Sequence, residues 1–258
     1  MSFKPYERNA AAIESDGQSR LVTSLKNGKT TVRIMPPYSE RGVWFKKVNE
    51  YYFNLGGQHL YFPSPRDFGM PDPIWDYCES VYESDDQEAI AKVKEWKPSL
   101  RYLINAFVLS EPNPIERKDI VVLKVPSKVQ KELKSLDTDS AAGYGDITNL
   151  EKGFNITISK DGKGIGTTYT VTAHRQESNA FNLLKERGLD LSTMTLHNLD
   201  EVYPPKSFDE MTQILETLKS GSQPVQVTDR QTVKTEVVQN KVQVPEFEPI
   251  VVEAPPKA

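Results

Sequence analysis

The sequence predicts a mainly β protein with added helices (α+β), built on a small antiparallel barrel with insertions. Three observations carry this prediction. Short stretches with period-two alternation recur along the chain, the signature of half-buried strands. "GFNITISKDGKGIGTTYTVTAHR" is a hairpin pattern, with Phe154, Ile156 and Ile158 alternating, a turn at Asp161-Gly162, and Tyr169 and Val171 alternating on the return. Helical patterns are short and fall between the strand patterns.

Taken in order, residues 1–20 are polar and rich in Ala and Ser, a flexible arm. "GKTTVRIMPP" is a strand ended by Pro36-Pro37, since proline cannot donate to a ladder. "GVWFKKVNEYYFN" is aromatic and β-prone, and a turn at Gly56-Gly57 follows it. The proline-rich loop up to Tyr77 has the rhythm of a metal-binding loop. "SDDQEAIAKVKEW" reads as a helix capped by Ser84, with early acids and late lysines. "LRYLINAFVLS" is apolar almost throughout and is expected to be a central strand. "DIVVLKVPSKVQKELKSL" gives a strand and then an amphipathic helix. "SNAFNLLKERGLDL" and "SFDEMTQILETLKSG" are helices, and from Gly221 the Pro-, Gln- and Val-containing remainder lacks a period. The expected organisation is an arm (1–20), a core (21–200) containing a ribbon-like subdomain (45–96), a C-terminal helix (201–220) and a disordered, acidic-leaning tail (221–258).

Composition excludes several classes. Apolar residues make up 37% and charged residues 26% of 258 positions, ordinary for a globular chain. No apolar run reaches membrane-spanning length, and one cysteine, Cys78, rules out an internal disulfide framework. A reducing, cytoplasmic setting follows as the default. The net charge of −4 conceals segregation. Residues 1–71 and 97–175 are mildly basic, whereas 72–95 carry two bases against eight acids and 176–258 are again acidic.

Catalytic patterns are weak. Gly28-Lys29-Thr30 suggests a phosphate loop, but the glycine required five residues earlier is Thr23, and a strand follows instead of a helix. Gly162, Gly164 and Gly166 lie in a hairpin tip without a following helix. His59, His174 and His197 are scattered. The acids Asp72, Asp76, Glu79, Glu83, Asp85 and Asp86 lack calcium-loop spacing and read as a solvated face and helix start. No enzyme is expected; a nuclease using those acids with a divalent ion is the weakest of the readings. The unusual feature is aromatics interleaved with bases: Trp44, Lys46 and Lys47 followed by Tyr51 and Tyr52; Lys97, Arg101 and Tyr102; Phe154, Lys160, Lys163, Tyr169 and Arg175. Aromatic faces stack unpaired bases while cations neutralise phosphates, which is what a groove for single-stranded nucleic acid needs. Alternate aromatics on strands also fill cores, so each residue taken singly is more often core. A non-enzymatic protein-interaction or virion-associated β-domain, with every aromatic in the core, is the alternative.

"VRIMPP…VWFKK", the proline-rich loop, "SLRYLINAFVLSEPNP", "VLKVPSKVQKEL" and "GDITNLEKGFNITI" resemble, in order and spacing from about Thr30 to Val171, the single-stranded-DNA-binding (helix-destabilising) proteins of T-even-type bacteriophages. The resemblance implies an OB-fold-like barrel core and a role in phage DNA replication, recombination and repair in the cytoplasm of the infected bacterium. It also implies replication and recombination proteins as partners of the tail. By position it points to Tyr102 for stacking, Arg101 for phosphate, and Phe154 and Tyr169 on the hairpin. Departures are equally specific. The family's zinc ligands, one His and three Cys arranged as Cys-Pro, a loop and Cys-Pro-Ile-Cys, here read Phe62-Pro63 and Asp72-Pro73-Ile74-Trp75, with no His between Asn49 and Tyr51. The expected cofactor is therefore none, the zinc being replaced by an apolar cluster of Phe62, Phe68, Ile74 and Trp75. Only Lys4 and Arg8 remain of a basic arm, with Glu7 between them, so self-association along DNA is expected to be weak.

Overall fold

The computed structural model describes residues 21–112, 119–138 and 144–221. These belong to one compact unit, Met1–Pro224; the expected arm and nearly all of the expected tail lie outside the described residues. Eight strands form one sheet: β1 (Val22–Ser24), β2 (Gly28–Ile34), β3 (Phe45–Leu55), β4 (Gln58–Pro63), β5 (Ser99–Ser110), β6 (Val121–Pro126), β7 (Gly153–Asp161) and β8 (Thr168–Ser178). The helices are α1 (Pro73–Tyr82), α2 (Gln87–Lys94), α3 (Ser127–Thr138), α4 (Ala180–Glu186) and α5 (Phe208–Ser220). The protein is thus α+β and sheet-dominated.

The main path of the sheet runs β1-β6-β5-β2-β7-β8. β5 is central, as its apolar run predicts. One edge pairs with β6, and the other pairs first with β3 (Phe45↔Ile104 to Glu50↔Ser99) and then with β2. All pairings are antiparallel except β1 with β6, which is parallel and was not anticipated. The period-two alternation of β5 splits the interior. Ile104, Ala106 and Val108 join Val32, Ile34, Ile156 and Ile158 in the principal core. On the opposite face Leu103 packs with Val48, Val122, Leu199 and Tyr203.

β3 is long enough to leave this core and enter a second one. Beyond Glu50 it pairs with β4 around the Gly56-Gly57 turn, whose φ values of 59° and 86° are the left-handed region that favours glycine. Tyr51, Phe53 and Phe62 from this hairpin pack against Ile74 and Cys78 of α1, Val93 of α2, and Met211, Ile214 and Leu215 of α5. The C-terminal helix therefore belongs to the β3–β4 region, which nothing in the sequence revealed. α5 itself starts as expected: Ser207 and Glu210 form a capping box, and Gly221 ends it at φ 62°.

Two local expectations are corrected. The segment after Pro71 is a helix instead of a loop, with Asp72 as N-cap and Pro73 at its first position. Proline suits that position because its missing N–H would have no intrahelical partner. α2 is capped by Asp86, whose carboxylate accepts from the N–H groups of Glu88 and Ala89, and not by Ser84. No helix of the described residues is long and apolar enough to cross a membrane.

Candidate nucleic-acid interface

The β3–β4 hairpin sorts adjacent residues onto opposite faces. Tyr51 is buried at 1% exposure, its ring 5.5 Å from both Phe53 and Phe62, and its hydroxyl donates to Asp72 at 2.9 Å. Tyr52, the next residue, is 49% exposed on the outer face. Its cross-strand partner is Tyr61, 38% exposed, and the two rings stack with centroids 4.8 Å apart and planes 29° apart. His59, two pairs nearer the turn, stacks on Tyr52 at 5.8 Å and its Nδ1 is hydrogen-bonded to the Tyr52 hydroxyl at 3.0 Å. Three rings therefore form an outward-facing platform on a hairpin whose other side is locked into a core.

Cations border the platform. The Lys124 ammonium of β6 lies 5.4 Å from the Tyr61 ring centroid and 5.2 Å from that of Tyr203. It is ion-paired with Glu50, which also faces Arg101 (Nε to Oε2, 3.6 Å) and accepts from the Tyr203 hydroxyl at 2.6 Å. Glu50 is only 4% exposed, so its carboxylate sits beneath two cations and fixes where they stand. Burial and then the Glu50 charge push the Tyr203 phenol well above its ordinary value; the proton stays on and the hydroxyl remains a donor. Arg101 is also close enough to Tyr169 for its charge to oppose the upward shift that burial imposes on that phenol.

On the other face of β5, Tyr102 pairs with Lys47 of β3, and its half-buried ring meets Phe45 edge-on at 5.7 Å. Tyr169 is likewise half-buried against the principal core, while Lys47 is exposed. Lys163, at the β7–β8 tip, and Arg175 are exposed as well. Lys97 is exposed with its ammonium 4.4 Å over the Tyr82 ring, at a cavity of about 230 Å³ also walled by Trp75 and Trp96.

Three sequence-predicted contacts are corrected. Trp44 (6% exposed), Tyr51 and Phe154 (4%) are core residues, with no ring face open to a base. The Trp44 indole donates to Asp137 at 3.0 Å, and Phe154 packs edge-on against Tyr144 at 5.1 Å. Interleaving with bases did not separate them from surface aromatics, because inward and outward positions alternate along the same strand. Two lysines are committed elsewhere. Lys46 pairs with Asp200 at 2.6 Å and lies over Phe68, and Lys160 donates to the Leu25 carbonyl at 3.0 Å.

The sequence reading missed Tyr61, His59 and Lys124. Tyr61 was within reach: a two-residue Gly56-Gly57 loop sets Leu55 opposite Gln58, and counting back sets Tyr52 opposite Tyr61. Lys124 was not, since its place depends on the β5–β6 register and on Glu50.

Among the described residues no three His, Cys, Asp or Glu side chains meet in a group that could hold a metal ion. No curated protein matches the chain. A family model described as gp32 DNA binding protein like matches residues 26–220, a span that contains every element from β2 to α5 and both aromatic–cationic surfaces. With well over half of its length matched, the chain belongs to the gp32-like DNA-binding protein family.

Proposed function

We propose that the protein binds single-stranded DNA with little sequence preference and serves phage DNA replication, recombination and repair by protecting the strand and removing its secondary structure. The observation that carries this is the stacked, exposed Tyr52–Tyr61 pair bordered by Lys124 and Arg101, in a chain of a DNA-binding family. Bases stack on such rings without regard to identity, and Arg101, whose side chain is 36% exposed, takes up phosphate while Lys124, 12% exposed, supports the Tyr61 ring. The sheet and its principal core serve as an OB-fold-like barrel, with Tyr102, Tyr169 and Lys47 forming a second wall of the path and Lys163 and Arg175 reached by longer strands. A protein that binds only the open strand draws the melting equilibrium toward it by mass action. No catalytic step is involved. The site of action is the cytoplasm of the infected host, the tail recruits replication and recombination proteins, and neighbours along DNA associate weakly.

A reading in which all the aromatics are core accounts for Trp44, Tyr51 and Phe154 but leaves the exposed pair without a role. Titrating labelled oligo-dT of about 20 nucleotides at about 50 mM salt, then at rising salt, tests the proposal. Tight binding that weakens steeply with salt is expected. No binding at the lowest salt, or equal affinity for duplex, overturns it.

A further inference from the structure

We propose that the β3–β4 region is held together by a buried carboxylate, Asp72, and that it folds and works without a metal ion. Asp72 is 0% exposed, and both of its oxygens are occupied. Oδ2 accepts from the Tyr51 hydroxyl at 2.9 Å and from Ser64 Oγ at 2.5 Å, and Oδ1 accepts from the Trp75 N–H at 3.0 Å. Those three donors come from β3, from the loop after β4 and from the first turn of α1. One side chain thus joins the three segments that a metal at this place would have to join, and the charge it buries is met by directed donors.

The rest of the loop is stitched in the same way. Ser64 N–H donates to the Asn49 carbonyl at 2.7 Å, and Asp67 accepts from Asn49 N–H at 2.5 Å and from its side-chain amide at 2.8 Å. Arg66 bridges Asp76 (2.5 Å) and Glu79 (2.8 Å) and lies 5.0 Å over the Trp75 ring, whose Nε1 donates to Glu79 at 2.6 Å.

The residues at the positions expected for zinc ligands do not fit a metal. Phe62 offers only carbon, packed against Tyr51 and Phe53. Trp75 has no acceptor nitrogen. Improvised ligands fail for separate reasons. His59 lies on the outer face of the hairpin, stacked on Tyr52. Asp76 and Glu79 are engaged by Arg66. Cys78 is buried among Ile74, Val81 and Val93, with its Sγ 4.0 Å from the Val93 carbonyl oxygen. The structure also revises the cluster expected to replace zinc. Phe62 and Ile74 are buried, but Phe68 and Trp75 are only half-buried under cations, and the polar network about Asp72 is the joint.

The test uses the full chain, purified from zinc-supplemented medium, with metal content and thermal unfolding as readouts. Zinc far below one per chain, and a Tm unmoved by EDTA or phenanthroline, are expected. Stoichiometric zinc, or a chelator-induced fall in Tm, overturns the proposal. Tyr51→Phe and Asp72→Asn should each lower Tm by roughly 2–10 °C with no recovery on adding zinc, since each removes hydrogen bonds from a buried acceptor. An unchanged Tm in both variants also overturns it. Should Asp72→Asn fail to fold, Tyr51→Phe and the wild-type metal content still decide. None of these readouts involves DNA, so they stand or fall separately from the single-strand reading.

Discussion

Tyr51 and Tyr52 are neighbours in the chain, and truncating each to alanine should give opposite phenotypes. Tyr52→Ala removes a ring that is 49% exposed and stacked on Tyr61, leaving the interior untouched. Loss of one base-stacking face is worth about 1–3 kcal/mol, or roughly 5- to 150-fold in Kd at 1.4 kcal/mol per decade. Its Tm should move little, because the ring packs on surface neighbours. Tyr51→Ala empties a site that is 1% exposed and strips Asp72 of one of its three donors. The lost ring costs about 3–5 kcal/mol and the under-satisfied carboxylate roughly 1–3 kcal/mol more. That is a large part of a typical domain's whole stability. Fluorescence anisotropy with labelled oligo-dT and thermal unfolding monitored by circular dichroism separate the two effects. Wild-type affinity in Tyr52→Ala, or a collapse of its Tm, would refute the face assignment on which the proposed interface rests.

Arg101→Gln should weaken oligo-dT binding and make the slope of log K against log salt shallower by about 0.7, the loss of one phosphate contact on a single strand. Lys160→Gln, which removes an ammonium bound to the Leu25 carbonyl, should leave that slope nearly unchanged, and a change of about 0.7 would show the lysine to be free for DNA. Gly153→Ala should be strongly destabilising in denaturant titration. Its Cβ would collide with Arg33 Nη2 and fall 2.5 Å from the Asn149 carbonyl oxygen, with Arg33 itself buried at 1% exposure; wild-type stability would show that the contact relaxes. Acid should loosen the fold. Glu79 is held below its ordinary value by Arg66, and Asp190 by the Ser192 hydroxyl and N–H; at Asp200 burial is outweighed by Lys46 and Tyr38, and at Glu210 by Lys206 and Ser207. A carboxyl depressed in the folded state stabilises it above the ordinary carboxylate range and loses that contribution as pH falls through the depressed value. Tm should therefore hold down to about pH 5 and decline below it. A Tm flat from neutrality to about pH 3 would contradict the ion pairing.

Much of the architecture was legible in local pattern. The strand "LRYLINAFVLS", the turn at Gly56-Gly57, the hairpin from Phe154 to Val171 and the helix opening at Ser207 are short-range signals, and each lies where those signals put it, whereas β4, just after that turn, falls in a stretch that reads as loop. The N-cap–proline pair Asp72-Pro73 was equally local, but the surrounding prolines concealed a helix start. The site was less legible. Period-two alternation states that Tyr51 and Tyr52 face opposite ways; it does not state which face meets a core. That was decided when α1, α2 and α5, the last of them more than 150 residues downstream of Tyr51, covered one side of the hairpin and left the other bare. The Glu50–Lys124–Arg101–Tyr203 cluster joins β3, β6, β5 and the segment before α5, and only the strand registers bring it together. Aromatic and basic composition, by itself, determined that a stacking surface could be built here. Burial chose the tyrosines that form it, because a ring packed against its own protein has no face left for a base.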